Sequence, residues 1–213
     1  MWQIRTFLCV AAAIATAGSF GGAASLRETK SPAQKGAPLV VGWNDEFNAL
    51  NWEPFAVPHK PDISMRHKGF LGLTLGSDAP VDPRLPFNWG TVSRVVEADT
   101  DRYPILAVRA IHLKAPGWWD VSLQGCQTTD PRTTIGKEVK TPSLDHDGTI
   151  LFDLQAQVKN GLNTGTHRLL IRLNIAGPKK GTRVEYDWIR FIRREDEERL
   201  RSHMDIGELV VEP

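Results

Sequence analysis

The segment His167 to Ala176, HRLLIRLNIA, alternates without a break: Leu169, Ile171, Leu173 and Ile175 fall on one side, Arg168, Leu170, Arg172 and Asn174 on the other. Side chains of an extended chain leave on opposite faces in turn, so this period of two predicts a strand with a core face and a mostly wet face. The same alternation marks Trp118 to Gln124, where Trp119, Val121 and Leu123 oppose Trp118, Asp120, Ser122 and Gln124. Pro104 to Leu113 is more continuously apolar, as a central strand is, with Arg109 its polar interruption. Further strands are expected at Asp62 to Leu75, Val92 to Glu97, Lys137 to Thr141, Thr149 to Leu154 and Thr182 to Ile192. The turn sequence Asp145-His146-Asp147-Gly148 is expected to join two of them. Short strands separated by Gly, Pro, Asn and Asp, with no long stretch of period 3.6, predict an all-β chain. Such strands bury their apolar faces best as two packed antiparallel sheets, a β-sandwich of the jelly-roll type.

The flanks read differently. Arg5, the apolar run Phe7 to Ala17 and the small residues up to Ala24 have the order of a secretory signal peptide, with an apolar run too short to span a bilayer. Residues 25–38, rich in Pro, Gly, Lys and Ser, read as a disordered leader, so the sandwich is placed at 39–192. The last stretch, 193–213, begins with RREDEERLRSH, a charge-dense run of good helix formers that predicts a short solvated helix, and ELVVE after it suits an edge strand. The expected location is therefore secreted, periplasmic or extracellular.

The chain carries 26 basic and 25 acidic residues; cleavage after Ala24 removes Arg5 alone and leaves 25 of each. A net charge of zero gives no electrostatic reason to expect nucleic acid or an anionic membrane as partner. Of the two cysteines, Cys9 leaves with the peptide, so Cys126 has no internal disulfide partner and is either a buried small hydrophobe or an intermolecular thiol.

Three segments, taken together, resemble the galactose-binding-like β-sandwich of secreted bacterial carbohydrate-binding modules. They are DEFNALNWEPF (Asp45 to Phe55), similar to the opening strand of those modules, ADTDRYPILAVRAIHL (Ala98 to Leu113), similar to their central strand, and GTHRLLIRLNIAG followed by RVEYDWIRFI, similar to the closing pair. The resemblance implies a non-catalytic protein that binds a polysaccharide or glycan at one sheet face or its rim. Thr149 and Ile150 stand where those modules carry a tryptophan after the Asp-Gly turn, which removes an aromatic ligand contact there. The resemblance also implies a structural Ca²⁺ between first and last strands, for which Glu46, Glu185 and Asp187 would be the carboxylates.

Sugar recognition needs flat aromatic faces beside groups that bond hydroxyls. Trp118, Asp120, Gln124, Arg109, Arg172 and Asn174 lie on polar strand faces, and Trp89 in PFNWG would rim the groove they form. Of the seven tryptophans, Trp2 leaves with the peptide, Trp43, Trp52 and Trp188 fall in segments that the resemblance makes packing positions, and Trp119 joins an apolar face. The ligand argument therefore depends on Trp89 and Trp118.

Two rival readings share the fold. A glycoside hydrolase needs paired carboxylates across the scissile bond, and Glu185 with Asp187 lack a third acid in their strand. A polysaccharide lyase would have to draw on Tyr103, His112, Arg109 and Asn174. The Gly-x-Ser-x-Gly elbow that nucleophilic hydrolysis would show is missing. The other rival is an interaction module of the cell envelope, which requires Trp89 and Trp118 to be buried or packed at an edge.

Overall fold

The computed structural model describes residues 38–55, 63–67, 69–76, 84, 86–114, 116–163, 168–201 and 209–212. The expected signal peptide, and the leader as far as residue 37, lie outside them. Among the described residues twelve strands run in the order β1 (Leu39–Asp45), β2 (Glu53–Pro54), β3 (Ile63–His67), β4 (Leu71–Leu75), β5 (Asn88–Glu97), β6 (Ile105–Lys114), β7 (Trp118–Cys126), β8 (Thr134–Lys140), β9 (Gly148–Asp153), β10 (Arg168–Gly177), β11 (Arg183–Ile192) and β12 (Leu209–Val211). Two short helices, α1 (Leu154–Gln157) and α2 (Glu197–Arg201), complete the described elements with two single 3₁₀ turns. No helix among the described residues is long and apolar enough to cross a membrane.

The strands form the expected two-sheet antiparallel sandwich. One sheet has five strands in the order β2-β5-β10-β7-β8. The other has seven and is built around β11, which pairs with β6 on one side and with β1 and β4 on the other. Its outer members are β9 on β6, β3 on β4, and β12 on β1, the last in parallel. Leu169, Ile171, Leu173 and Ile175 of β10 and Trp119, Val121 and Leu123 of β7 face Leu106, Val108, Tyr186, Ile189 and Phe191 across the core. The indole of Trp119 donates to the His146 carbonyl at 3.0 Å and meets the Tyr186 ring edge-on, 5.6 Å between centroids.

The structure corrects the sequence in four places. Residues 137–141 and 149–154 do not form a hairpin: β8 lies beside β7 in one sheet and β9 beside β6 in the other. The segment between them is a crossover, held where Leu144 bridges Trp119 and the Asp147 carboxylate accepts the Leu113 N–H. Asp45 to Phe55 is mostly loop, because the buried Asp45 carboxylate accepts from the Phe47 N–H, the Trp52 indole and Arg94, folding the chain back on itself. That turn also holds Phe47 at a φ of 55°, a left-handed conformation that a non-glycine residue adopts only under constraint. The outer face of β10 is less wet than alternation implies, since Leu170 and Arg172 are both buried between neighbouring strands.

The fourth correction concerns residues 193–213. Leu200 of α2 is buried in a second apolar cluster with Leu39, Val41, Ile105, Trp188 and Ile192, so the helix covers the outer face of the seven-stranded sheet. Beyond β12, the Glu212 carboxylate accepts from the Tyr103 hydroxyl and from Arg193, each at 2.9 Å, and pairs with Arg102. These donors hold the Glu212 carboxyl below the usual carboxylate range, the Tyr103 hydrogen bond foremost.

Candidate functional site: the outer face of the five-stranded sheet

Strand registers arrange this face in rows. Trp89, Ala176 and Trp118 stand side by side on β5, β10 and β7; the next row along the strands is Thr91, Asn174 and Asp120. The row after that is Glu53, Ser93, Arg172, Ser122 and Lys140, one residue from each of the five strands. Two strand spacings, about 10 Å, separate the backbones of the two tryptophans, and between them the floor is a methyl group.

This end of the face is a depression of about 270 Å³, walled by Phe87, Trp89, Trp118 and Lys140 over Asn174 and Ala176. Both indoles are partly exposed, and Trp118 packs edge-on against Phe87 with centroids 4.8 Å apart. The floor is fixed by a hydrogen-bond chain across four strands. The Thr91 hydroxyl donates to Asn174 Oδ1 at 2.7 Å, and Asn174 Nδ2 donates to Asp120 Oδ1 at 2.7 Å. The other Asp120 oxygen accepts from the Ser143 hydroxyl at 2.9 Å and faces the Lys140 ammonium at 3.0 Å. Asp120 is 2% exposed and engaged at both oxygens, so it positions Asn174 and Lys140. Lys140, with its side chain 57% exposed and three donors, has hydrogen-bonding capacity left over. Beneath the floor, the Asn174 carbonyl accepts from the buried Tyr186 hydroxyl at 2.7 Å; burial raises the Tyr186 pKa well above its ordinary value, and Asp120 adds to the shift.

Six of the seven expected ligand residues share this face: Trp89, Trp118, Asp120, Gln124, Arg172 and Asn174. Gln124 is drawn into the wall, donating to the Gly136 carbonyl at 3.0 Å and accepting from Arg172 at 3.2 Å. Arg109 does not join them. It stands on β6 of the other sheet, opposite Trp188 and Thr149, and pairs with Asp187 at 3.5 Å.

The expected calcium carboxylates do not gather. Glu46 pairs with Arg190 at 3.1 Å, Glu185 with Arg183, and Asp187 with Arg109. Committed singly to guanidinium groups, they do not fit the six to eight oxygens that calcium takes, and no group of three or more His, Cys, Asp or Glu assembles among the described residues. The lyase set is dispersed as well: Tyr103 is buried against Glu212, Arg109 lies on the seven-stranded sheet, and Asn174 on the five-stranded one. The side chain of His112 lies outside the described residues.

Sequence reasoning missed Phe55, Phe87, Glu138 and Lys140. For β8 the signal was present: in GKEVK, alternation places Glu138 and Lys140 together opposite the buried Val139. Phe87 stands two residues before Trp89, in the same PFNWG motif.

No family model and no curated protein matches the sequence. In shape the chain is similar to a solved family 11 carbohydrate-binding module from Clostridium thermocellum in complex with a β-1,3-1,4-mixed-linked tetrasaccharide. That likeness has 13% identity and a TM-score of 0.46, over 70% of this chain and 93% of that one. It is also similar to TmCBM27, a carbohydrate-binding module solved in a study of specific mannan recognition, at 14% identity and a TM-score of 0.40 over 74% and 99% of the two chains. Fold and face define the chain as a two-sheet β-sandwich with an aromatic-rimmed, hydrogen-bonded outer face.

Proposed function

We propose that the protein binds a polysaccharide, without cleaving it, along the outer face of the five-stranded sheet, and that it does so after export from the cytoplasm. The row Trp89-Ala176-Trp118 above the Thr91-Asn174-Asp120 chain carries this reading. Two indoles on either side of a methyl floor suit the apolar face of a sugar ring, and the amide and ammonium beside them suit its hydroxyls. From Leu170 to Ala176 the face runs for about 20 Å along β10, enough for several sugar units. The carboxylate on this floor is spoken for by three donors, which favours binding over acid-base chemistry.

Affinity electrophoresis of the mature protein through gels containing a panel of neutral and acidic polysaccharides tests the proposal. Retardation by at least one of them, lost in Trp118→Ala and kept in Trp188→Phe on the other sheet, is expected. A folded sample that no glycan retards would overturn it.

A further inference from the structure

The same face has a second depression, of about 490 Å³, with Glu53, Phe55, Ser93, Arg132 and Arg172 among its walls. At its base Arg172 is only 7% exposed. The flat face of its guanidinium lies against the Phe55 ring, 4.5 Å from the centroid. The Gln124 carbonyl oxygen takes one hydrogen bond from Nη2 at 3.2 Å. Glu138 lies 2.9 Å from Nη1, without hydrogen-bond alignment, and the buried Nε has no hydrogen-bond partner among the described residues. A buried donor left unmade is costly, and a native structure that tolerates one in a depression points to an acceptor arriving from outside.

The chemistry of the acceptor follows from the shape of the donor. Nε and Nη2 lie along one edge of a planar group, and Nη2 has a second N–H beside the one it gives to Gln124. A sugar hydroxyl satisfies one of them; a carboxylate satisfies both. The counter-charge in place is weak, because Glu138 is 48% exposed and solvent screens its pairing with Arg172.

We propose that this depression is a carboxylate subsite, so that the polysaccharide bound on the face contains uronic acid. The inference rests on the sugar-binding reading and narrows it. Phe55, which lines the depression, turns aside to admit the carboxylate to the Nε edge. The tryptophan-rimmed end then holds a neighbouring stretch of the same chain.

The test is isothermal titration of the mature protein with oligogalacturonide, glucuronoxylan oligosaccharide and oligoalginate, each paired with its carboxyl-reduced neutral counterpart. At least one acidic form is expected to bind about tenfold to a hundredfold more tightly than its reduced partner. Arg172→Lys, which keeps the charge and loses the fork, is expected to abolish that preference, whereas Trp188→Phe on the other sheet is expected to keep it. This comparison stands even if Arg172→Gln fails to fold. Equal affinity within every pair, or binding of neutral glycans alone, overturns the carboxylate subsite and leaves sugar binding intact. Binding of no glycan of either kind overturns the sugar reading itself, and the subsite with it.

Discussion

Replacing Asp120 by alanine separates a residue that positions the floor from one that merely decorates a wet surface. The carboxylate accepts from Asn174 and Ser143 and pairs with Lys140, but the three partners lose unequal amounts. Lys140 and Ser143 are exposed and rehydrate at little cost. Asn174 Nδ2 is half-buried and is left with only Ser122 Oγ at 3.4 Å. Losing a hydrogen bond to a charged acceptor at such a site costs about 1.5–3 kcal/mol, here about 2 kcal/mol, or roughly 4–8 °C in Tm for a chain of this size. Lys140→Ala removes only a solvent-screened ion pair and is expected to cost less than about 1 kcal/mol. Urea denaturation followed by tryptophan fluorescence, with calorimetry for Tm, measures both. An Asp120→Ala protein as stable as the parent, or a Lys140→Ala protein equally damaged, would refute the claim that the floor is organised through Asp120.

Other expectations concern the rest of the molecule. Leu200→Ala uncovers the second apolar cluster and should cost about 2 kcal/mol, the low end for a buried leucine because α2 lies at the surface; chemical denaturation reads it. Glu212 titrates below its ordinary value in the folded chain, so its contribution is present above the unfolded carboxylate range and is lost as pH falls through the folded pKa. Glu212→Gln should therefore flatten the acid limb of a stability-pH curve below about pH 5, and an unchanged limb would contradict the role given to the Tyr103 and Arg193 contacts. Tyr186 is held neutral by burial, so in a Tyr103→Phe background the alkaline ultraviolet signal of tyrosinate should appear only with unfolding.

Much of the fold was legible because alternation reports local geometry. In HRLLIRLNIA the four apolar residues had to face one way in any strand, and β10 became the centre of its sheet. Alternation does not report which sheet a strand joins. Arg109 was therefore grouped with Arg172 and Asn174, although β6 lies in the opposite layer. The same limit explains Asp145 to Gly148: an Asp-Gly turn signal describes four residues, and whether the flanking strands pair is decided by β6 and β7, which compete for β9 and β8. Leu200 was hidden by composition, a single apolar residue in a charged run whose burial depends on Leu39, Val41 and Ile105, far away in the chain. The site was read well where it depended on facing residues of one strand, as with Trp118 and Asp120. It was read poorly where partners came from elsewhere, as with Phe55 over Arg172.

The six tryptophans of residues 25–213 provide the most direct test of the central claim, that sugar lies along the Trp89-Ala176-Trp118 row. In ¹H–¹⁵N spectra of residues 25–213, each indole N–H gives its own signal during titration with whichever glycan the panel retains. The indoles of Trp89 and Trp118 are expected to shift, while those of Trp52, bonded to Asp45, and Trp119, bonded to the His146 carbonyl, stay in place. Shifts confined to Trp43 or Trp188, or saturable binding that moves neither Trp89 nor Trp118, would contradict it.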